Sequence, residues 1–255
     1  MQARIVGAAR GARWLGDGWR LFRGAPLGWL AAVFAYWILM TLVSFVPVAG
    51  IAAAAVLVPA FSVGFLAIAR ATSRGSAADL PLLFDGLRHE PRSQLVLGVV
   101  YLACLAMLLG ASTLADDGAL ARWMLTGKRP PDEVLQSDGF FDALIVAGIL
   151  YLPVMAAFWF APPLAAWHSV GAVKALFFSL AASVMNWRAF LAYGAVTAIA
   201  TVLIPFAVVA VLTATGALRF PAAALVFPLV FILLPTLFAS FYASYRDVFG
   251  YDAAP

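Results

Sequence analysis

The chain has 255 residues, of which 65% are hydrophobic and 11% charged, with a mean hydropathy of +0.99. That leaves too little polar side chain to cover a water-soluble globule, and the chain reads as a polytopic membrane protein. The formal net charge of +4 then reads as cationic loops facing anionic lipid head groups rather than as nucleic-acid affinity.

The N-terminal residues 1–25 suit a cytoplasmic helix lying in the headgroup plane. Arg13, Asp17 and Arg20 share one helical face, and Leu15, Trp19 and Phe22 share another. No charged residue then occurs between Arg23 and Arg70. As one straight helix at about 1.5 Å per residue this run would be about twice the hydrocarbon thickness of roughly 30 Å, so it must turn back. Its apolar core is also far too long for a cleavable signal peptide, and we read it as retained. Val46-Pro47-Val48-Ala49-Gly50 is the expected turn, giving helices over 26–47 and 50–71.

The polar segment from Ser73 to Gln94 leads to a third span over 95–115. A longer polar segment, 116–142, leads to a fourth span over 143–166. It is dense in carboxylates but matches no calcium-loop spacing, and reads as a solvated loop with Ala119 to Leu125 resting on lipid. A fifth span over 189–218 exceeds the length required and carries Pro205, which predicts a bend or tilt; a sixth occupies 221–245.

Basic residues orient these spans. Arg4, Arg10, Arg13, Arg20 and Arg23, then Arg70, Arg74, Arg88 and Arg92, then Lys174 and Arg188, and finally Arg246 all fall on one side if the chain crosses six times. Arg122, Lys128, Arg129 and Arg219 fall on the other, among acidic residues. The positive-inside rule therefore places both termini on the cytoplasmic side.

The returning helices share a pattern. Pro59 precedes Arg70 and Pro235 precedes Arg246 by eleven positions, with no charge between; Pro153 precedes His168 in a longer copy that adds Pro162 and Pro163. A segment of interfacial character also precedes each outgoing helix: residues around Trp19, then Leu80 to Phe84 with Asp85 and Arg88, then Lys174 to Ser179 ending at Asn186-Trp187-Arg188. The expected fold is all-α, a polytopic membrane helical bundle of six transmembrane helices. They form three hairpin repeats, each opened by an amphipathic interfacial lead-in helix, within a single integral membrane domain. Hairpin 1 covers 26–71; 72–166 holds the second lead-in and hairpin, 167–247 the third, and 248–255 is a short tail.

Chemistry-bearing residues are sparse. No Asp, Glu, Lys or Arg lies near mid-membrane, which argues against an ion-coupled pump, and the hydroxyls at Ser62, Thr197, Thr236 and Ser240 suit helix packing. Pro59, Pro153 and Pro235 are expected to break their helices, which favours kinked packing and leaves open a polar path. His89 and His168 lack metal-ligand spacing and Cys104 stands alone, so no metal, cofactor or intrachain disulfide is expected. No hydrolase or nucleotide motif is present, and an enzyme is not expected. Arg20, Arg23, Lys174, Asn186 and Arg188 are the candidate contacts for an anionic lipid or a phosphate-bearing ligand.

The segments DGWRLFRGAPLGWL, PLLFDGLR and AWHSVGAVKALFFSLAASVMNWRAFLAY resemble a family of uncharacterised proteobacterial polytopic inner-membrane proteins. The resemblance runs through Gly18-Trp19, Phe22, Pro26, Trp29, Gly86, Lys174-Ala175, Ser179, Asn186-Trp187 and Phe190. It implies a multi-helix membrane protein and brings no assigned activity. From these readings the expected role is a non-catalytic bundle that binds membrane lipid or a partner protein, itself included as a homo-oligomer. The alternative is a small transporter or channel using the proline-bearing helices.

Overall fold

A computed structural model describes residues 2–46, 48–215 and 223–250, with side-chain surroundings described outside 223–228. Every regular element among the described residues is helical. Two short helices, α1 (Ala8–Gly11) and α2 (Trp14–Gly24), precede α3 (Pro26–Val43) and α4 (Ala49–Ser73). A 3₁₀ turn at Leu80–Phe84 runs into α5 (Asp85–Arg88), and α6 (Pro91–Asp116) follows. Next come α7 (Ala119–Thr126), α8 (Asp132–Leu135), α9 (Asp138–Phe158), α10 (Ala161–His168) and α11 (Ala172–Met185). The chain closes with α12 (Trp187–Ala198), a π turn at Ile199–Leu203, α13 (Ile204–Ala214) and α14 (Ala223–Phe249). Among the described residues six stretches are long and apolar enough to cross a membrane: Pro26–Val43, Ala49–Ser73, Pro91–Asp116, Asp138–His168, Trp187–Ala214 and Leu229–Phe249.

Several boundaries differ from the sequence reading, each for a local reason. The first span ends at Val43 rather than at 47, and the turn contains Val48 at φ 61°; Pro47 and Arg219 lie outside the described residues. The third span starts at Pro91, because a proline in the first turn loses no helical hydrogen bond, and this draws Gln94 into the helix. The fourth starts at Asp138, where Ser137 caps it by accepting from the Phe140 amide at 3.2 Å. The last helix continues past Arg246 to Phe249, so Val248 and Phe249 do not belong to a tail; residues 251–255 lie outside the described residues.

Pro59, Pro153 and Pro235 do not break their helices: α4, α9 and α14 run through them. One missing N–H removes a single bond from a long ladder, and without water as a competitor the rest of the ladder holds. The breaks lie elsewhere. In the fourth span the helix stops at Phe158 and restarts at Ala161, ahead of Pro162 and Pro163. Ser179 enters that gap: its hydroxyl accepts from the Phe160 amide and donates to the Ala156 carbonyl, both at 2.9 Å. A side-chain oxygen thus stands in for the missing i to i−4 bond. In the fifth span a π turn interrupts the α-helical ladder just before Pro205.

The helices sort into two compact units: Met1–Ala35, Gly64–Leu83 and Ala182–Pro255 in the first, Tyr36–Val63 and Phe84–Ala181 in the second. In the first, the rings of Trp29, Phe65 and Phe238 stack, Phe65 on Phe238 at 4.0 Å, and α2 lies along α14. Gly18 makes that approach possible, since a Cβ there would sit 2.3 Å from the Thr236 carbonyl oxygen. In the second, α6 packs on α9 and α10, and Gly86 of α5 meets α4 equally closely, 2.1 Å from the Ala60 carbonyl oxygen by the same measure. Gln94, fully buried, donates to the Pro162 carbonyl at 2.9 Å. The 116–142 segment is not simply a solvated loop. Asp116 accepts from the Gly118 and Leu120 amides, and α7 folds onto α9 through Leu120, Phe140 and Ala143.

Candidate functional site

The densest polar cluster lies in the first unit, at the C-terminal end of α14. Arg10 forks onto Asp247, with Nε to Oδ2 at 2.5 Å and Nη2 to Oδ1 at 3.0 Å, and the Trp14 indole donates to the same carboxylate at 2.8 Å. Arg10 Nη2 also donates to Asp17 Oδ2 at 2.8 Å; Arg20 pairs with the other Asp17 oxygen, and Arg246 Nη2 stands 3.6 Å from Asp17. Asp17 is 5% exposed. The hydrogen bond to Asp247 and the charges of Asp247 and Asp17 outweigh desolvation, and Arg10 is pushed above the ordinary arginine pKa.

This geometry corrects the reading of α2 as a helix with Asp17 on its wet face. Trp14, Leu15, Asp17, Gly18 and Phe22 form the buried face, while Trp19 is exposed. A carboxylate can sit there because guanidinium groups from Arg10, Arg20 and Arg246 surround it. Arg10 and Asp247 lie 237 positions apart, a separation that no local spacing rule reaches.

Asn186, at the junction of α11 and α12, is 1% exposed and its carboxamide is occupied. Its Oδ1 accepts from the Val6 amide at 2.8 Å, and its Nδ2 donates to the Arg4 carbonyl at 3.0 Å and to the Ala182 carbonyl at 2.9 Å. The Arg4 amide donates to the Val248 carbonyl at 2.8 Å, so the N-terminal segment is tied to both the α11–α12 junction and the end of α14. A cavity of about 590 Å³ beside this segment is lined by Arg4, Arg10, Arg246 and Asp247.

The remaining candidates each lean on an aromatic ring. The Arg23 guanidinium lies 5.7 Å from the Trp19 ring centre, the Lys174 ammonium 5.8 Å from Phe178, and the Arg188 guanidinium 5.3 Å from Trp187. Trp187 is 54% exposed. Of the five residues singled out, then, Arg20 and Asn186 serve internal contacts, while Arg23, Lys174 and Arg188 present cations beside exposed or half-buried rings. His89 lies 3.2 Å from Asp85 on the same short helix, and among the described residues no group of His, Cys, Asp or Glu has the arrangement of a metal site.

The comparisons with known proteins bear on what these groups serve. The chain is 38% identical over 256 residues to a probable inner membrane protein of Burkholderia thailandensis, a match that covers 98% of this chain and 94% of the relative. No protein-family model matches the chain, and no solved structure does.

Proposed function

We propose, from the premise that this chain belongs to the family of the probable inner membrane protein of Burkholderia thailandensis and is itself a polytopic inner-membrane protein, that it is a non-catalytic bundle that binds anionic membrane lipid. The observation that carries this reading is the set of three cation–aromatic pairs, Arg23 with Trp19, Lys174 with Phe178 and Arg188 with Trp187. An aromatic ring rests at headgroup depth, and a cation held over it meets lipid phosphate while its stem stays in the apolar layer.

In this reading both termini are cytoplasmic and the chain forms three repeated hairpins, with one pair on the first lead-in and two on the third. Two contacts support the repetition. Gly18 of the first lead-in helix meets α14 at Thr236, one residue past Pro235; Gly86 of the second meets α4 at Ala60, one residue past Pro59. Ser179 of the third lies against α9 three residues past Pro153, in the copy that is longer by about one turn.

Native mass spectrometry of the full-length protein, released from mixed phosphatidylglycerol and phosphatidylethanolamine, tests the proposal. Retention of phosphatidylglycerol in preference is expected, reduced about thirtyfold in Arg23→Gln/Arg188→Gln, since each of the two cations near an anionic surface contributes about 1 kcal/mol. Equal retention of both lipids by the unmodified protein would overturn it.

A further inference from the structure

Within the second unit, the first turns of α6 and α11 border one cavity of about 440 Å³. Its polar lining is Arg92, Ser93 and Lys174 with the backbone at Gly171, and its apolar lining includes Val96 and Val173, 46% and 77% exposed. No carboxylate lines it. Among the described residues neither Arg92 nor Lys174 forms an ion pair. Two cations facing one hollow repel each other unless an anion joins them. Arg92 brings planar donors suited to phosphate oxygens and Lys174 a compact charge, with the Ser93 hydroxyl as a neutral donor. The α6 terminus leaves amide groups unmet: its N-cap residue Glu90, at φ 53°, makes no side-chain cap, and its carboxylate does not line the cavity.

We infer that Arg92, Ser93 and Lys174 form a phosphate-binding site, and that the phosphate it takes is the headgroup of an anionic phospholipid whose acyl portion leaves over Val96 and Val173. A free phosphate ion would satisfy the cations equally well but would have no use for an apolar exit. The choice of lipid as occupant rests on the function proposed above; the anion site itself does not.

The test uses the full-length protein in two arms. Native mass spectrometry measures retained phosphatidylglycerol, and equilibrium dialysis in detergent measures bound inorganic phosphate. Arg92→Gln/Lys174→Gln is expected to weaken phosphatidylglycerol retention about thirtyfold, the size set by removing two cations near an anionic headgroup. Arg92→Lys/Lys174→Arg is expected to keep most of it, and Lys128→Gln/Arg129→Gln, in the distant 116–142 segment, all of it. An unchanged thermal midpoint separates this loss from unfolding, since both side chains are exposed. Phosphatidylglycerol retention that is intact in Arg92→Gln/Lys174→Gln overturns the site and leaves the general lipid-binding reading standing. Absent lipid retention with phosphate binding that depends on Arg92 and Lys174 upholds the site and overturns lipid as its occupant. No binding in either arm overturns both.

Discussion

Gly18→Ala is expected to lower the stability of the purified protein by about 3 kcal/mol, enough to remove several degrees from the thermal midpoint in detergent. The added methyl would lie 2.3 Å from the Thr236 carbonyl oxygen and 2.8 Å from the Ser240 amide nitrogen, both backbone atoms of α14 that cannot rotate aside. The whole of α2 must therefore back away, and its layer of contacts, including the buried Trp14, Leu15 and Phe22, is loosened with it. Intrinsic helix propensity acts in the opposite direction, favouring alanine by about 1 kcal/mol. Gly16 separates the two effects: it lies in the same helix with nothing within 4 Å of its added Cβ, so Gly16→Ala is expected to be neutral or mildly stabilising. Parallel melting curves of the two variants decide the matter. A Gly18→Ala protein as stable as Gly16→Ala would mean that α2 does not sit on α14 in the way described.

Asp247→Asn is expected to cost about 3 kcal/mol through loss of charge with little change in shape. Asp247 and Asp17 face the guanidinium groups of Arg10, Arg20 and Arg246, so neutralising one carboxylate leaves three cations around the other. The amide also fails the Arg10 fork, because only one of its two terminal atoms accepts a hydrogen bond. Arg20→Gln is the contrast: its side chain is 68% exposed, and its loss is expected to cost less than about 1 kcal/mol. The pH response follows from the raised Arg10 pKa. A group whose folded pKa lies above its unfolded value stabilises fully below the unfolded value and loses that contribution only as pH rises through the folded one. For an arginine that window lies far above neutrality, so Arg10 adds no pH dependence between about pH 6 and 9. Chemical denaturation in detergent, compared for Asp247→Asn and Arg20→Gln, gives the two costs directly.

The membrane character, the number of spans and most of their limits were legible in the charge-free run from Arg23 to Arg70 and in the polar segments that punctuate the rest, because crossing hydrocarbon imposes a composition over a whole helix. Gly18, Gly86 and Ser179 were also legible, as residues carrying the family resemblance, although their geometric roles were not. A methyl that would collide with a carbonyl on another helix leaves no mark on its own neighbours in sequence. Asp17 was misplaced for the same reason. Periodicity assigned it to a wet face, and what covers that face is α14, more than two hundred positions later, which also adds Arg246 to the guanidinium groups of Arg10 and Arg20 around the carboxylate. The prolines misled in the other direction: local rules price the lost N–H, but the long ladders of α4, α9 and α14 absorb it. Arg92 was counted only as part of a charge bias, since its meeting with Lys174 depends on how the starts of α6 and α11 come together.

Site-directed labelling with a membrane-impermeant maleimide tests the six-span arrangement with both termini in the cytoplasm most directly. In a Cys104→Ala background, Lys128→Cys is expected to react in intact cells, whereas Arg74→Cys and a cysteine appended after Pro255 are expected to react only once the inner membrane is opened. Labelling of the C-terminal cysteine in intact cells, or protection of Lys128→Cys, would contradict the account.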